Sequence, residues 1–255
     1  MTFAHRFSAA ALLLLFASPP GQGSETAPPD PKALEVADQM LAALGGKEAW
    51  EATRFLHFGF AGRREHWWDK HTGRYRLEGA TKENEPYIVL MDLDTKQGRA
   101  WLKGDEVQGD KLKELLDNAW GAWVNDTYWL LMPYKLRDPG VILKYAGEET
   151  VEGAVYDKLA LSFHQVGLTP GDRYWAYVNR STHLMDRWAY ILESMDPQGP
   201  PTVWAWQGWA RHGQIQLAPE RAQVGADRRI SLEPLEVPPA LADSVFTDPQ
   251  PLRGR

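Results

Sequence analysis

Alternation of apolar and polar residues over most of the chain beyond residue 54 limits the possible folds more than any other feature. The run RFLHFGF places Leu56, Phe58 and Phe60 on one face of an extended strand, because side chains of a strand point alternately to its two faces. Similar runs, separated by turn residues such as Gly73, continue to residue 237. They predict about a dozen antiparallel strands, which we expect to form one strongly curved sheet, a half-barrel.

The segment after residue 29 has a helical pattern instead. Asp30 and Pro31 are typical of the cap and first position of a helix. Apolar residues then recur at spacings of three and four, and the pair Gly45-Gly46 ends the pattern. The sequence therefore predicts an N-terminal helix before the first strand.

A second, longer helix is predicted in the middle of the chain. We expect Asp110 to cap it and Pro133 to stop it, so that Met132 is its last residue. Its apolar stripe comprises Leu112, Leu115, Leu116, Ala119, Trp120, Trp123, Thr127 and Leu130. A stripe of this kind needs an apolar partner, and the concave face of the sheet is the available one. The predicted fold class is therefore α+β, with this helix as a central plug.

The first 29 residues are expected to lie outside the folded domain. Arg6 is followed by a short apolar run from Ala9 to Ala17, which is typical of a secretory signal peptide. We expect residues 1–23 to be removed after Gly23, residues 24–29 to be a linker, and residues 30–255 to form one domain with an irregular tail from Pro238. The alternative is a retained membrane anchor. The predicted location is the periplasm or the exterior of the cell.

Composition excludes several classes of function. The formal charge of −6 argues against nucleic acid as a partner. The absence of Cys excludes disulfides, thiolate catalysis and Cys-based zinc sites. His66 and His71 are spaced too loosely for a helical metal motif, and no phosphate-binding glycine loop, HExxH or GxSxG motif is present. We assign no catalytic residue, metal or cofactor, and expect a monomer.

The stretch VNDTYWLLMPYKLRDPG gives the best indication of a binding site. Tyr128 and Trp129 lie on the opposite side of the helix from the apolar stripe. Either Asn125-Asp126 breaks the helix and Asp126 caps a second one, so that both rings enter the core, or the rings line the mouth of a cavity. Arg137, which follows, either braces the turn or recognises a carboxylate or phosphate head group.

The same stretch, together with VGLTPGDRYWAYVNRSTHLMDRWAYIL, resembles a group of secreted bacterial proteins related to the lipoprotein-carrier superfamily, LolA and LolB. The resemblance implies a curved antiparallel sheet closed by helices around a cavity for acyl chains. Since the chain has no Cys, it lacks the lipid-modified cysteine of LolB and would resemble the soluble carrier. No ligand-binding residue of the carrier matches a position here, so none is transferred.

These observations predict a periplasmic protein that binds or carries a lipid, a lipoprotein acyl chain or another apolar ligand, with lipoproteins or other envelope proteins as further partners. Aromatic rings near the predicted cavity suit such a ligand. The candidate ligand-binding residues are Trp123, Tyr128, Trp129, Met132, Tyr134, Arg137, Trp175, Tyr177 and Trp188. Two alternatives remain: an enzyme that uses polar groups around the cavity, and a non-catalytic interaction module whose cavity is filled by its own side chains.

Overall fold

The computed structural model describes residues 30–164, 169 and 171–253. The predicted signal peptide and linker lie outside the described residues. No helix in these ranges is both long enough and apolar enough to cross a membrane.

The strands of the described chain form two seven-stranded antiparallel sheets and one small hairpin. The strands are β1 (Phe55–Phe60), β2 (Arg64–Asp69), β3 (Arg74–Ala80), β4 (Pro86–Asp92), β5 (Gly98–Leu102), β6 (Asp105–Val107), β7 (Val141–Val151), β8 (Ala154–Phe163), β9 (Arg173–Asn179), β10 (Met185–Ile191), β11 (Thr202–Gln207), β12 (Ala210–His212), β13 (Ile215–Leu217), β14 (Glu220–Gln223), β15 (Arg229–Ser231) and β16 (Leu235–Glu236). The first sheet has the order β16-β1-β2-β3-β4-β5-β6, and the second has the order β15-β14-β11-β10-β9-β8-β7. The hairpin pairs β12 with β13.

The two sheets meet where the chain passes from β15 to β16. The backbone N–H of Gly59 in β1 donates to the carbonyl oxygens of Leu232 and Pro234, at 3.0 and 2.7 Å. A side chain at Gly59 would have its Cβ 2.0 Å from the carbonyl oxygen of Glu233, so only glycine fits this close approach. The connecting segment thus belongs to both sheets and joins them.

The fold class predicted from the sequence is confirmed. The protein is α+β, with large antiparallel sheets, a helix at the start of the described chain and a long central helix. The strands are divided between two joined sheets, and the edge strands β6 and β7 are not paired with each other. Alternation shows which residues share a face, but it does not show where one sheet ends and the next begins.

The N-terminal helix forms as its capping pattern predicts. Helix α1 (Pro31–Ala43) begins after Asp30, whose Oδ1 accepts from the backbone N–H groups of Lys32 and Ala33 at 3.0 and 3.1 Å. A short helix that the sequence did not indicate, α2 (Gly46–Ala52), follows directly after Gly45, which has a φ of 117°.

The central helix, α3 (Gly109–Leu131), is continuous, and a single 3₁₀ turn (Met132–Lys135) follows it. One detail differs from the prediction: Gln108 occupies the cap position without a side-chain hydrogen bond, and Asp110 lies in the first turn. Of the two alternatives for the end of the helix, the break at Asn125-Asp126 does not occur, because Asp126 is buried and bonded to the first sheet instead of capping a new helix.

The two halves of α3 pack on different sheets. Leu115 and Ala119, from the first half, lie on the inner face of the first sheet with Tyr75, Val89 and Met91. The second half enters the larger core that also contains α1 and the inner face of the second sheet. The buried members of α3 in this larger core are Leu130 and Leu131. One amphipathic helix therefore covers parts of both sheets.

A fourth short helix, α4 (Ser244–Thr247), lies in the C-terminal segment, which is otherwise irregular. Phe246 of this helix packs with Phe55 and Trp67 on the outer face of the first sheet. The segment is therefore attached to the face of the first sheet opposite α3.

Candidate ligand-binding site

The second half of α3 presents two aromatic side chains to the inner face of the second sheet. The ring centroid of Trp188 lies 5.9 Å from that of Tyr128 and 4.8 Å from that of Trp129. Trp129 also contacts Trp204 edge to face, at 5.1 Å, a preferred geometry of aromatic pairs. Trp188 and Trp204 are 1% and 0% exposed. The helix end therefore rests on a buried aromatic surface.

We call the rings gathered here the ring cluster. Its members are Tyr128, Trp129, Phe163, Tyr174, Trp188, Tyr190, Trp204 and Trp206. The sheet contributes them through alternation, since the register pairs Tyr190 directly with Tyr174 and places Trp188 two residues away on the same face. The rings are in direct contact and fill the space between α3 and the second sheet. Burial raises the pKa of Tyr128 and of Tyr174, so both hydroxyl groups stay protonated.

Arg221 is the buried cation of this site. It lies on β14 opposite Trp206 of β11, and its guanidinium carbon is 3.4 Å from the centroid of the Trp206 ring. Nε and Nη2 donate to the carbonyl oxygen of Trp129, at 3.1 and 2.6 Å. Nη1 donates to the carbonyl oxygens of Ala218 and Glu220, at 2.8 and 2.9 Å. The guanidinium group thus joins the second sheet to the end of α3.

The position of a proline explains why the carbonyl group of Trp129 accepts from Arg221. In a helix this carbonyl would accept from the N–H four residues later. That residue is Pro133, which has no N–H. Arg221 supplies two donors in its place, and its positive charge lies at the helix C-terminus, where the helix dipole favours cations.

The charge of Arg221 has no paired carboxylate among the described residues. Its side chain is 0% exposed, and burial lowers the pKa of Arg221 well below its usual value. Glu220 attracts this charge, but its carboxylate accepts a hydrogen bond from Oγ of Ser231 at 2.8 Å. The described partners of the guanidinium group are neutral carbonyl groups and one aromatic ring.

The ring cluster also contains hydrogen-bond donors without acceptors. The indole Nε1 atoms of Trp188 and Trp206 are buried and have no hydrogen-bond partner among the described residues. Both side chains are at most 2% exposed. Nearly all buried polar groups in proteins have a partner. Nε1 of Trp123 and Trp209 is unpaired in the same way, but Trp188 and Trp206 lie in the same cluster as the buried cation of Arg221.

A second buried polar group lies where α3 passes from one sheet to the other. The carboxylate of Asp126 accepts from Nη2 of Arg64 in β2 at 2.7 Å, and a contact with Nε of the same side chain is 2.5 Å. Nε2 of His66 lies 2.9 Å from Oδ2 of Asp126, close enough for an ion pair, but the two groups are not aligned for a hydrogen bond. On its other side, Nδ1 of His66 lies 2.7 Å from the hydroxyl oxygen of Tyr75.

Electrostatics and burial indicate that the cluster around Asp126 has a structural role. Burial alone would raise the pKa of Asp126, but the contacts with His66 and Arg64 outweigh it and lower that pKa. Burial lowers the pKa of His66. His66 and Asp126 are 0% exposed, and Tyr75 is 1% exposed. The group therefore fixes α3 to the first sheet, and its acid and imidazole do not face solvent.

The structure brings together three of the nine predicted site residues, namely Tyr128, Trp129 and Trp188. Met132 and Tyr134 belong to the same core, but the hydroxyl group of Tyr134 donates to backbone carbonyl oxygens of Leu44 and Gln216, at 3.0 and 2.7 Å.

The remaining four lie elsewhere. Trp123 contacts Trp68 on the first sheet, with centroids 5.3 Å apart. Trp175 and Tyr177 lie on the outer face of the second sheet, because they alternate with the inward Tyr174. Arg137 is exposed and pairs with Asp38 at 3.0 Å.

Two clefts of the described chain lie on the outer face of the first sheet, beside the C-terminal segment. One of about 570 Å³ is lined by residues that include Tyr87, Trp101 and Pro251. The other, of about 310 Å³, is lined by residues that include Arg74, Leu90 and Phe246. Neither adjoins the ring cluster, which is on the opposite side of α3 from this face.

Sequence reasoning missed Arg221 and Asp126. The local signal for Arg221 is weak, since one Arg in ERAQ reads as an ordinary exposed strand residue. A stronger signal was Pro133, because a proline four residues after Trp129 leaves a carbonyl group that needs a donor from elsewhere. Among the residues described, no group of three or more His, Asp or Glu side chains is arranged to hold a metal ion.

Comparisons with known proteins find similarity at the level of structure only. No protein-family profile and no curated protein matches the chain. A DUF1329 family protein from Desulfovibrio piger is similar over 87% of this chain and 100% of its own, with 12% identity and a TM-score of 0.46. A LolA superfamily protein from Nitrosomonas europaea is similar over 84% of this chain and 96% of its own, with 9% identity and a TM-score of 0.42.

Proposed function

We propose that the protein binds an apolar ligand, such as a lipid or the acyl chain of a lipoprotein, between the second half of α3 and the second sheet. The observation that carries the proposal is the ring cluster, in which Tyr128 and Trp129 of the helix meet Trp188 of the sheet. Large rings give a ligand a wide apolar contact area at a low cost in side-chain entropy. The protein would hold such a ligand in the periplasm or outside the cell, as its N-terminal sequence and the resemblance imply.

Binding requires the rings of α3 to separate from those of the sheet. The helix end that must move is connected to the second sheet by the bonds from Arg221 to the Trp129 carbonyl group. Asp126, two residues before Tyr128, holds α3 to the first sheet through Arg64. A movement confined to the residues after Asp126 would therefore expose the ring cluster while the helix stays attached to the first sheet.

Two tryptophans provide a matched test: Trp129 of α3 packs against the inner face of the second sheet, and Trp175 lies on its outer face. We expect the protein to bind pyrene-labelled dodecanol, a neutral apolar probe, and Trp129→Ala to weaken that binding about tenfold, because an acyl chain loses the contact area of one ring. Trp175→Ala, on the outer face, should leave the affinity unchanged. Probe fluorescence measured against protein concentration gives both affinities.

Two outcomes would contradict the proposal. If the probe does not bind the wild-type protein, the ring cluster is a permanent core, as expected of an interaction module whose cavity is filled. If Trp129→Ala binds as well as or better than the wild type, or if Trp175→Ala loses affinity equally, the ligand does not lie against these rings.

A further inference from the structure

The positive charge of Arg221 is compensated only in part by the groups around it. The end of a helix carries a dipole equivalent to about half a negative elementary charge, and the Trp206 ring adds a cation–π contact at 3.4 Å. Arginine stays protonated in proteins. Together with the attraction of Glu220, these groups compensate the charge only in part, in a fully buried site where an unpaired charge is unfavourable.

The donors around this charge indicate what kind of group would complete the site. A guanidinium group binds carboxylates and phosphates through parallel N–H bonds. Its Nε and Nη2, the pair suited to such binding, are directed at one carbonyl oxygen, that of Trp129. Unpaired indole N–H groups of Trp188 and Trp206 lie in the same cluster. The site thus offers charged and neutral donors but, among the described residues, no anion.

We propose that the ligand of the ring cluster carries an anionic head group, a carboxylate or a phosphate, that pairs with Arg221. This inference rests on the proposed function, because the acyl chain of the ligand would lie among the rings. The head group takes the place of the Trp129 carbonyl oxygen on Nε and Nη2. Arg221 keeps its bonds to Ala218 and Glu220 on its own side, so it stays in position while the helix end moves away.

The exchange links recognition of the head group to opening of the site. Arg221 holds the end of α3 only while it bonds to the Trp129 carbonyl group. An anion that takes these donors releases the helix and supplies the missing negative charge in one step. A neutral ligand of equal length can fill the ring cluster but must break the same bonds without replacing them, which leaves buried donors unpaired.

The experiment compares ligands that share a twelve-carbon chain. Dodecanoate, dodecyl phosphate and dodecanol are each titrated as competitors of pyrene-labelled dodecanol on the wild-type protein. We expect at least one anion to bind about tenfold or more tightly than dodecanol, which corresponds to about 1.4 kcal/mol. The anion that binds more tightly identifies the head group as a carboxylate or a phosphate.

Two variants test whether Arg221 is responsible. Arg221→Met keeps much of the apolar stem and should abolish the preference for anions while dodecanol binds within about threefold of wild type. Arg137→Met removes the exposed cation that pairs with Asp38 and should keep the preference. The comparison of ligands on the wild-type protein needs no variant, so the test stands even if Arg221→Met does not fold.

The results separate this inference from the function on which it rests. If pyrene-labelled dodecanol binds but dodecanol competes as well as both anions, the head-group inference is overturned and the apolar site remains. A preference for anions that persists in Arg221→Met also overturns it. If the labelled probe does not bind at all, both proposals fail.

Discussion

Asp126 shows how one buried carboxylate can fix a long helix. It is fully buried in the C-terminal part of α3, between Asn125 and Thr127. Its charge is compensated by Arg64, through a contact with both carboxylate oxygens, and it lies beside His66. A buried ion pair of this kind adds little net stability, but removing one partner leaves the other charge unpaired. The residue therefore determines where α3 can lie.

We expect Asp126→Asn to lower the free energy of unfolding by about 2–3 kcal/mol, because Arg64 loses its anionic partner. The cost is below that of breaking a fully buried pair, since the Arg64 side chain is 27% exposed. Asp138→Asn is the matched control, since Asp138 forms an exposed ion pair with Lys135 at 2.8 Å and should cost less than about 1 kcal/mol. Urea denaturation of the three proteins measures both effects. Equal denaturation midpoints for the two variants would show that Asp126 does not anchor the helix.

The roles of Asp126 and Arg221 could not be predicted from the sequence, and the physical cause is the same for both. Asp126 and Arg64 are 62 positions apart, and Arg221 and Trp129 are 92 positions apart. Local spacing indicates which face of a helix or strand a residue shares, but not which distant residue meets it. A short polar residue such as Asp126 within a helix therefore reads as a cap or a break, although here its partner lies on a strand of the first sheet.

Helix α3 could be predicted almost completely as an element, but its packing could not. The apolar stripe and Pro133 gave its bounds within one residue at each end. The two rings outside the stripe, Tyr128 and Trp129, were expected either to enter the core or to line the mouth of a cavity, and in the structure they pack against a second apolar partner. That partner is the second sheet, whose separate existence the alternation pattern does not reveal. Because α3 packs on both sheets, one amphipathic helix is attached to the first sheet and also contributes two rings to the ring cluster.

This division predicts that aromatic residues of α3 before and after Asp126 have different roles. Trp123 packs with Trp68 on the first sheet and is only partly buried. Trp123→Ala should therefore lower the free energy of unfolding by about 2–3 kcal/mol, less than for a fully buried Trp, and leave the affinity for pyrene-labelled dodecanol unchanged. Urea denaturation and probe titration of the same sample check both parts. Weaker probe binding by the folded variant would place the ligand along the whole helix.

Over the whole molecule, the two sheets and the C-terminal segment form one connected structure. The alternation pattern identified strands and their faces, but the pairing of His57 with Glu236, 179 positions apart, could not be read from it. That pairing brings the end of the chain beside its first strand and lets the C-terminal segment cross the outer face of the first sheet. The sequence indicated an irregular tail there, and the structure shows which side chains attach it.

Arg76 and Glu78 of β3 form this attachment. Nη1 of Arg76 donates to the carbonyl oxygens of Val245 and Asp248, at 3.0 and 2.6 Å. The carboxylate of Glu78 accepts from Nε of Arg76 and from the backbone N–H of Leu252, at 2.7 and 2.8 Å. Both side chains are nearly inaccessible to solvent. Because the contacts are with the backbone of the segment, they hold its path independently of its side chains.

We expect Arg76→Met to lower the free energy of unfolding by about 3–5 kcal/mol, since Glu78 is left buried without its cation. The C-terminal segment should then detach, and chymotrypsin should cleave at Phe246, which the attached segment keeps buried. Arg99→Met is the control, because Arg99 pairs with Glu106 on the same sheet and is more than half exposed, so its loss should cost under about 1 kcal/mol.

Probe binding should persist in both folded variants, since the ring cluster lies on the other side of the first sheet from this segment. Protection of Phe246 in Arg76→Met would mean that the packing of Phe246 on Phe55 and Trp67 holds the segment without the buried ion pair.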